Sequence, residues 1–558
     1  MMQSILAGRG IAVAPHAQAA QSALAVLREG GNALEAMIAA AATIAVVYPH
    51  MNSIGGDGFW VISGPNGVPG GIDASGASAA LASRNWYAQR GFGHGQTPGA
   101  GGASAPTASA IPFRGGLAAL TVAGTVSGWG AAHRLSHQAL GGRMPLSRLL
   151  EDAITLAREG VPVTRSQSAL TAAKQSDIEA VPGFAETFLV EGRAPARGAI
   201  FRQTRLGDTL SRIAREGTDT FYRGALARQM AAELAAVGSP LTLADLQAHQ
   251  ARLIDPLELR AHQASLYNMV PPSQGLVSLM ILGLMERMAE RSDWRMAGGG
   301  PLEGPEGAAF IHAQVEATKL AFRVRDAHLT DPAFMKIDPR SLLSAGRLDE
   351  LVRAYDPERA LPWGRRTDPG DTIWMGVIDR QGLAVSFIQS IYHEFGSGIV
   401  LSDSGINWQN RGCSFSLDPA HINTLEPRKK PFHTLNPALA RLDDGRLIAY
   451  GTMGGDGQPQ TQATIFNRVR HFGDTPQQAI ARPRWLLGRT WGKASDSLKL
   501  EARFAPDVIS ALRALGHEVE TIADWDEAVG HAGMLIRHPN GVMEGGFDPR
   551  SDGGVAGY

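Results

Sequence analysis

The sequence predicts an α/β protein, and three observations carry the prediction. β-like apolar runs joined by short glycine-containing turns occur twice in the last third of the chain. Apolar residues at helical spacing fill much of the first third. At 558 residues, the chain is long enough to bury one very large core or two to four smaller ones.

Taken in order, Ala17 to Leu27 reads as an amphipathic helix stopped by Gly30-Gly31. The alanine-rich run Ala36 to Tyr48 is too short to span a bilayer and reads as a buried helix. Residues Thr97 to Gly116, rich in Gly, Ala, Ser, Thr and Pro, read as a long surface loop. Helical patterns cover Leu146 to Glu159 and Thr220 to Val237. Pro271-Pro272-Ser273 marks a strand-to-helix junction before the helix Leu276 to Met288. Gly298 to Gly307 reads as a linker, and Arg359 to Gly370 as a charged, exposed, extended stretch. The first hairpin pairs the run starting at Thr372 and ending at Ile378 with Leu383 to Ile388, through Asp379-Arg380-Gln381-Gly382. The second pairs Ala438 to Arg441 with Leu447 to Tyr450, through Asp443-Asp444-Gly445. No repeat of fixed period is present.

Composition narrows the function. Net charge is −1, so no broad basic surface for nucleic acid is implied. The single Cys413 excludes an intramolecular disulfide framework and reads as a core or pocket residue. The start Met1-Met2-Gln3-Ser4-Ile5 lacks the charged and apolar regions of a signal peptide, so the cytoplasm is expected over the periplasm, with no membrane partner. There is no His-Glu-x-x-His, no pair of Cys motifs and no Walker sequence, so neither a metal nor another cofactor is expected. Gly396-Ser397-Gly398 lacks the five-residue form of a serine elbow.

Thr372 heads the first hairpin, after Gly370-Asp371. Such a threonine becomes a nucleophile if the chain is cut just before it, because its freed α-amine can act as the base for its own Oγ. The required cleavage site is Asp371–Thr372. By itself the pattern is weak, since threonine in a hairpin is commonly only a strand former. Gly454-Gly455-Asp456-Gly457, taken alone, reads as a plain turn.

Motifs spread along the chain add to this. Leu27-Arg28-Glu29-Gly30-Gly31-Asn32-Ala33, Ile54-Gly55-Gly56-Asp57-Gly58-Phe59 and Ala317-Thr318-Lys319-Leu320-Ala321-Phe322 resemble segments of the γ-glutamyltranspeptidases. So do Phe395-Gly396-Ser397-Gly398-Ile399-Val400, Pro431-Phe432-His433-Thr434-Leu435-Asn436-Pro437, Gly451-Thr452-Met453-Gly454-Gly455, and the end Asp548-Pro549-Arg550-Ser551 with Ala556-Gly557-Tyr558. The chain is therefore identified by resemblance as a member of that family of N-terminal-nucleophile hydrolases. The resemblance implies a four-layer αββα sandwich formed by two subunits from one precursor. Residues 1–371 would be the large subunit and 372–558 the small one, held as a heterodimer. It also implies that the amides of Gly454 and Gly455 form the oxyanion hole, a role glycine suits because no Cβ blocks the approach. Ser390 resembles the residue that orients the nucleophile, and His433 and Thr434 resemble pocket-loop positions.

The pocket departs from the family. Where the family has an arginine for the substrate α-carboxylate, the run Ile72-Asp73-Ala74-Ser75-Gly76 places Ser75. Ser414 stands where an aspartate takes the α-amine, and Tyr392 where the family has asparagine. Each lost charged hydrogen bond costs on the order of 1.5–3 kcal/mol, which argues against γ-glutamyl specificity. Arg411 stands where glutamine is usual, and reads either as a loop-surface arginine or as a bidentate anchor for a substrate carboxylate. The expected substrate is a small amide of a carboxylate-bearing acyl group without an α-amine. The pattern resembles the family branch that contains cephalosporin (glutaryl-7-aminocephalosporanic acid) acylases and oxamate amidohydrolases; within that branch chain length favours the acylase, with possible γ-glutamyl transfer. Oxamate amidohydrolase and glutathione hydrolase/γ-glutamyltransferase are the alternatives. An uncleaved binding protein of the same fold is opposed by the presence of both Thr372 and the glycine pair.

Overall fold

A computed structural model describes residues 3–64, 67–93, 110–295, 303–363, 371–488 and 495–558. Parts of the expected loop at 97–116, of the linker at 298–307 and of the stretch at 359–370 lie outside the described residues, as does the side chain of Asp371.

Two seven-stranded antiparallel sheets lie face to face. The first runs, edge to edge, Gly554–Gly557, Gly10–Ala14, Asp371–Asp379, Ala384–Tyr392, Asp57–Ser63, Gly70–Ala74 and Arg252–Ile254. The second runs Ile5–Ala7, Met543–Phe547, Ala532–Arg537, Leu447–Thr452, Ala438–Leu442, Ala264–Asn268 and Leu257–Ala261. Both predicted hairpins are present, at the centres of different sheets.

The alternation of side chains along one strand shows the layering. In Asp371–Asp379, Trp374 and Ile378 enter the core between the sheets, beside Val13, Phe59, Leu439 and Leu535. Ile373, Met375 and Val377 point the other way, into a helical layer that includes Ala17–Arg28 and Ala33–Val47. On the far side, Leu266, Ile448 and Ile536 of the second sheet meet the helices Gly275–Arg291, Ala308–His328 and Gly457–His471. Period-two strands buried on both faces, each covered by helices, give the four-layer αββα sandwich.

Trp374 fixes how closely the sheets approach beside the nucleophile strand. Its indole lies against Gly451 and Gly533, where a Cβ would come within 2.2 and 2.5 Å of ring atoms. Its Nε1 donates to Ser386 Oγ at 2.9 Å, so the buried polar tip is satisfied.

Helix positions follow the patterns with two corrections. The pattern over 146–159 is broken at Leu150 into Leu146–Leu149 and Glu151–Glu159, and that over 220–237 at Gly224 into Thr220–Arg223 and Ala225–Ala236. At Gly224 the backbone is extended (φ −94°, ψ −163°), which interrupts the helical hydrogen bonds. Residues 359–363, read as exposed and extended, are exposed at Arg359 and Pro362 but also tethered: Ala360 N donates to Leu515 O at 2.7 Å, and Leu361 is held at both its N–H and its carbonyl. Among the described residues no helix is long and apolar enough to cross a membrane.

Candidate active site

The hairpin brings Thr372 to a bulge. Asp371 pairs with Tyr392 and Ile373 with Gln389, so the single residue Thr372 faces two, Ser390 and Ile391. Thr372 is buried. Ser390 Oγ accepts from Tyr392 N at 2.8 Å and so braces the strand end opposite Thr372. Tyr392 takes φ +82°, a region costly for a side chain with a Cβ.

The second sheet supplies the glycine pair. Just beyond the strand Leu447–Thr452, Gly454 and Gly455 have φ +114° and +51°. Their carbonyls accept from Gly457 N at 2.8 Å and Gln458 N at 3.2 Å, opening the helix Gly457–His471. Among the described residues neither glycine amide donates a hydrogen bond. Gln274, which the sequence reading missed, locks this loop: Nε2 donates to Gly455 O and to Thr434 O, both at 2.9 Å. Its only sequence signal is its place after Pro271-Pro272-Ser273.

Arg411 is not a loop-surface residue. It is 1% exposed, in the turn Arg411–Ser414, with its guanidinium 3.8 Å from the centre of the Tyr392 ring. Nη1 reaches Thr434 Oγ1 at 3.4 Å, while Nε and Nη2 have no hydrogen-bond partner among the described residues. Burial lowers its pKa to about 10, so it stays cationic at neutral pH.

A buried aspartate missed by the sequence reading faces the same region. Asp57 Oδ1 accepts from Gly76 N and Gly124 N, each at 3.0 Å, and Oδ2 lies 3.2 Å from His433 Nε2. Burial raises Asp57 to about 7, against the pull of those amides and of Arg411. Burial and the Arg411 charge hold His433 well below the ordinary imidazole value, so it stays neutral and the contact with Asp57 is not an ion pair. Asp57 was visible only as one letter of a glycine-rich turn.

A cavity of about 250 Å³ opens here, walled by Tyr392, Ser414, Phe432, Thr434, Asp456 and Arg325 among others. Arg325 pairs with Asp456 at 2.9 Å and lies over the Phe322 ring. His433 and Ser390 are both buried and do not line the cavity. Ser414 Oγ donates to Arg411 O at 3.0 Å, closing the arginine turn. A larger cavity of about 620 Å³ shares His421 and Ile422 with the first.

Ser75 belongs to a separate knot: its Oγ donates to Asp73 Oδ1 at 2.6 Å, and Asp73 Oδ2 binds Lys430 Nζ at 2.6 Å. Lys430 is thereby neutralised, whereas the buried Arg411 keeps two donors without a hydrogen-bond partner among the described residues. Ser397 Oγ donates to Trp408 O at 2.7 Å, which removes it from nucleophilic use. Cys413 Sγ donates to Pro112 O at 3.1 Å. The arrangement offers a strand-end hydroxyl, a glycine turn with open amides and a buried guanidinium: the parts needed for acyl transfer from an anionic amide.

The γ-glutamyltranspeptidase family model matches residues 19–558. The chain is 56% identical, over the full length of both proteins, to the oxamate amidohydrolase proenzyme of Klebsiella pneumoniae. It is 38% identical, again over both full lengths, to the glutathione hydrolase-like YwrD proenzyme of Bacillus subtilis. The crystal structure of cephalosporin acylase from Bacillus halodurans superposes with a TM-score of 0.87 at 31% identity, covering 100% of this chain and 97% of that one.

Proposed function

This chain belongs to the γ-glutamyltranspeptidase family, and from that premise we propose that it is a self-processing amidohydrolase for small carboxylate-bearing amides, oxamate first among them. The observation that carries the reading is Arg411, a buried cation with two open donors beside a cavity of about 250 Å³. An unpaired buried charge is costly, and an anionic ligand is the natural means of relieving that cost. Full-length identity of 56% to an oxamate amidohydrolase proenzyme supports the same choice.

Maturation comes first. Thr372 Oγ attacks the carbonyl carbon of Asp371, the peptide shifts to an ester, and water splits it. The products are a large subunit 1–371 and a small subunit 372–558, which stay together as a heterodimer. In turnover, Oγ attacks the amide carbon and its proton passes to the Thr372 α-amine. The oxyanion is held by the amides of Gly454 and Gly455, and the proton then leaves with ammonia. Water hydrolyses the acyl ester and restores the hydroxyl; an amine taking water's place would give acyl transfer. Arg411 holds the substrate carboxylate, with Tyr392 against its face and Thr434 at its edge. Ser414 closes the turn that carries it.

A second reading has its own support. The adjoining cavity of about 620 Å³ has room for an amine larger than ammonia, as glutaryl-type acylase substrates require. The order suggested by chain length is nevertheless reversed, because the acylase relation is at 31% identity and the oxamate relation at 56%.

The test is to incubate the processed protein with oxamate and measure ammonia and oxalate, beside glutaryl and γ-glutamyl amides. Oxamate turnover exceeding both is expected; no ammonia from oxamate would overturn the reading.

A further inference from the structure

A buried polar cluster that catalysis does not use holds the chain just upstream of Thr372. Leu361 N donates to Glu316 Oε2 at 2.9 Å, and Leu361 O accepts from Lys319 Nζ at 2.7 Å. Lys319 and Glu316 also pair with each other at 2.7 Å, with side chains 3% and 0% exposed. Both lie on the helix Ala308–His328, one turn apart. On the same helix His312 Nε2 donates to Asp356 O at 2.8 Å. That fixes its tautomer, so Nδ1 accepts from His517 Nε2, also at 2.8 Å.

The ligand-type atoms of His312, Glu316 and His517 lie within 4.8 Å of one another, a spacing a metal could use. Lys319 already supplies the cation: its ammonium neutralises Glu316, and a divalent ion would have to enter beside it. Burial holds both histidines below their ordinary values, so the pair is neutral. The cluster therefore grips a peptide segment. It joins residues 356–361 to the helix and, through His517 and Leu515 O, to the chain beyond the proposed cut.

We infer that Glu316, Lys319, His312 and His517 form a maturation clamp, positioning residues that present the Asp371–Thr372 bond for self-cleavage and afterwards retain the large subunit's end. This rests on the cleavage proposed above. Eight residues separate Trp363 from Thr372, a reach of at most about 32 Å over nine steps. With the clamp open, the next side chain anchored in the core upstream is the buried Tyr355, separated from Thr372 by sixteen residues. The chance of presenting a tether's end falls roughly as the −3/2 power of its length, so opening the clamp lowers it about threefold before any loss of orientation.

The test uses the full chain. Removing one charge would strand its buried partner, so Glu316→Met and Lys319→Met are made together. Precursor conversion is followed on denaturing gels after synthesis, with thermal melting and oxamate turnover per mature Thr372 as further readouts. Conversion is expected to slow at least about threefold, while melting stays cooperative and turnover of the matured fraction is unchanged. His517→Leu should also slow conversion, and His517→Gln, which can still donate to His312 Nδ1, should restore it; this pair decides if the double variant does not fold. Wild-type conversion speed in folded variants, or an equal loss of turnover in the matured fraction, overturns the clamp. A wild-type chain that stays whole overturns the cleavage reading, and the clamp with it.

Discussion

The two ends of the proposed active site are built differently. At the Thr372 end the working parts are backbone: a strand terminus at a bulge, and a turn at Gly454 and Gly455 with φ of +114° and +51°. At the Arg411 end they are side chains drawn from four separated segments, Asp57, Tyr392, Arg411 and His433-Thr434, all buried. Backbone chemistry is set by strand pairing and glycine, and the same strand pairing builds the fold. A side-chain pocket can be redrawn by single substitutions while the sheets stay in place. In the proposed mechanism the first end would serve any amide, and the second would decide which.

Four experiments would break or sharpen that contrast. The largest effect is expected at Thr372. Thr372→Ala should leave one full-length chain on a denaturing gel and cut turnover by on the order of a thousandfold or more, since no nucleophile remains. Thr372→Ser should process slowly. Two normal subunits from the Ala variant would remove Thr372 from the mechanism.

Next is the glycine turn. A Cβ at Gly454 would meet only Gly530, its Cα at 3.4 Å and its N at 3.8 Å, so there is space; the obstacle is φ +114°. Gly454→Val should shift the backbone and lower kcat by about a hundredfold with folding retained. Unchanged kcat in a folded, processed variant would take the oxyanion role from this turn.

At the other end the loss should depend on the substrate. Arg411→Gln is expected to cost about 1.5–3 kcal/mol in kcat/KM for oxamate or glutaryl amides and far less for an uncharged butyryl amide. Arg411→Lys should also suffer, because an ammonium keeps the charge but not the fork. Self-cleavage should survive in both variants. Equal losses on charged and uncharged amides would make Arg411 a support for its loop.

The smallest effect is with pH. Burial raises Asp57 to about 7, so it is neutral below that value and anionic above. Ionised Asp57 competes with substrate for Arg411, so KM for oxamate should rise severalfold as pH passes upward through 7. Asp57→Asn, which mimics the neutral acid, should flatten the profile; an unaltered profile would separate Asp57 from Arg411. The sign for stability is parallel. The folded pKa lies above the unfolded 3.8, so the folded state holds a proton the unfolded chain has released, and stability should decline as pH rises from about 4 to 7.

Local patterns in the sequence determined the hairpins, the buried helix at Ala33–Val47, the strand-end threonine and the glycine turn, because each depends on neighbours within a few residues. The breaks at Leu150 and Gly224 escaped because apolar spacing continues across them. The anchoring of 359–363 escaped because charge and proline read as exposure, while the partners lie some forty residues upstream and more than 150 downstream. Gln274 and Asp57 were invisible for the same reason: Gln274 acts on carbonyls at 434 and 455, and Asp57 on amides at 76 and 124 beside His433. Arg411 was legible as a residue type out of place, but whether it lay at the surface or was buried was decided only by the tertiary structure. The energy of a charge is set by the solvent and partners around it, and a linear sequence does not contain those surroundings.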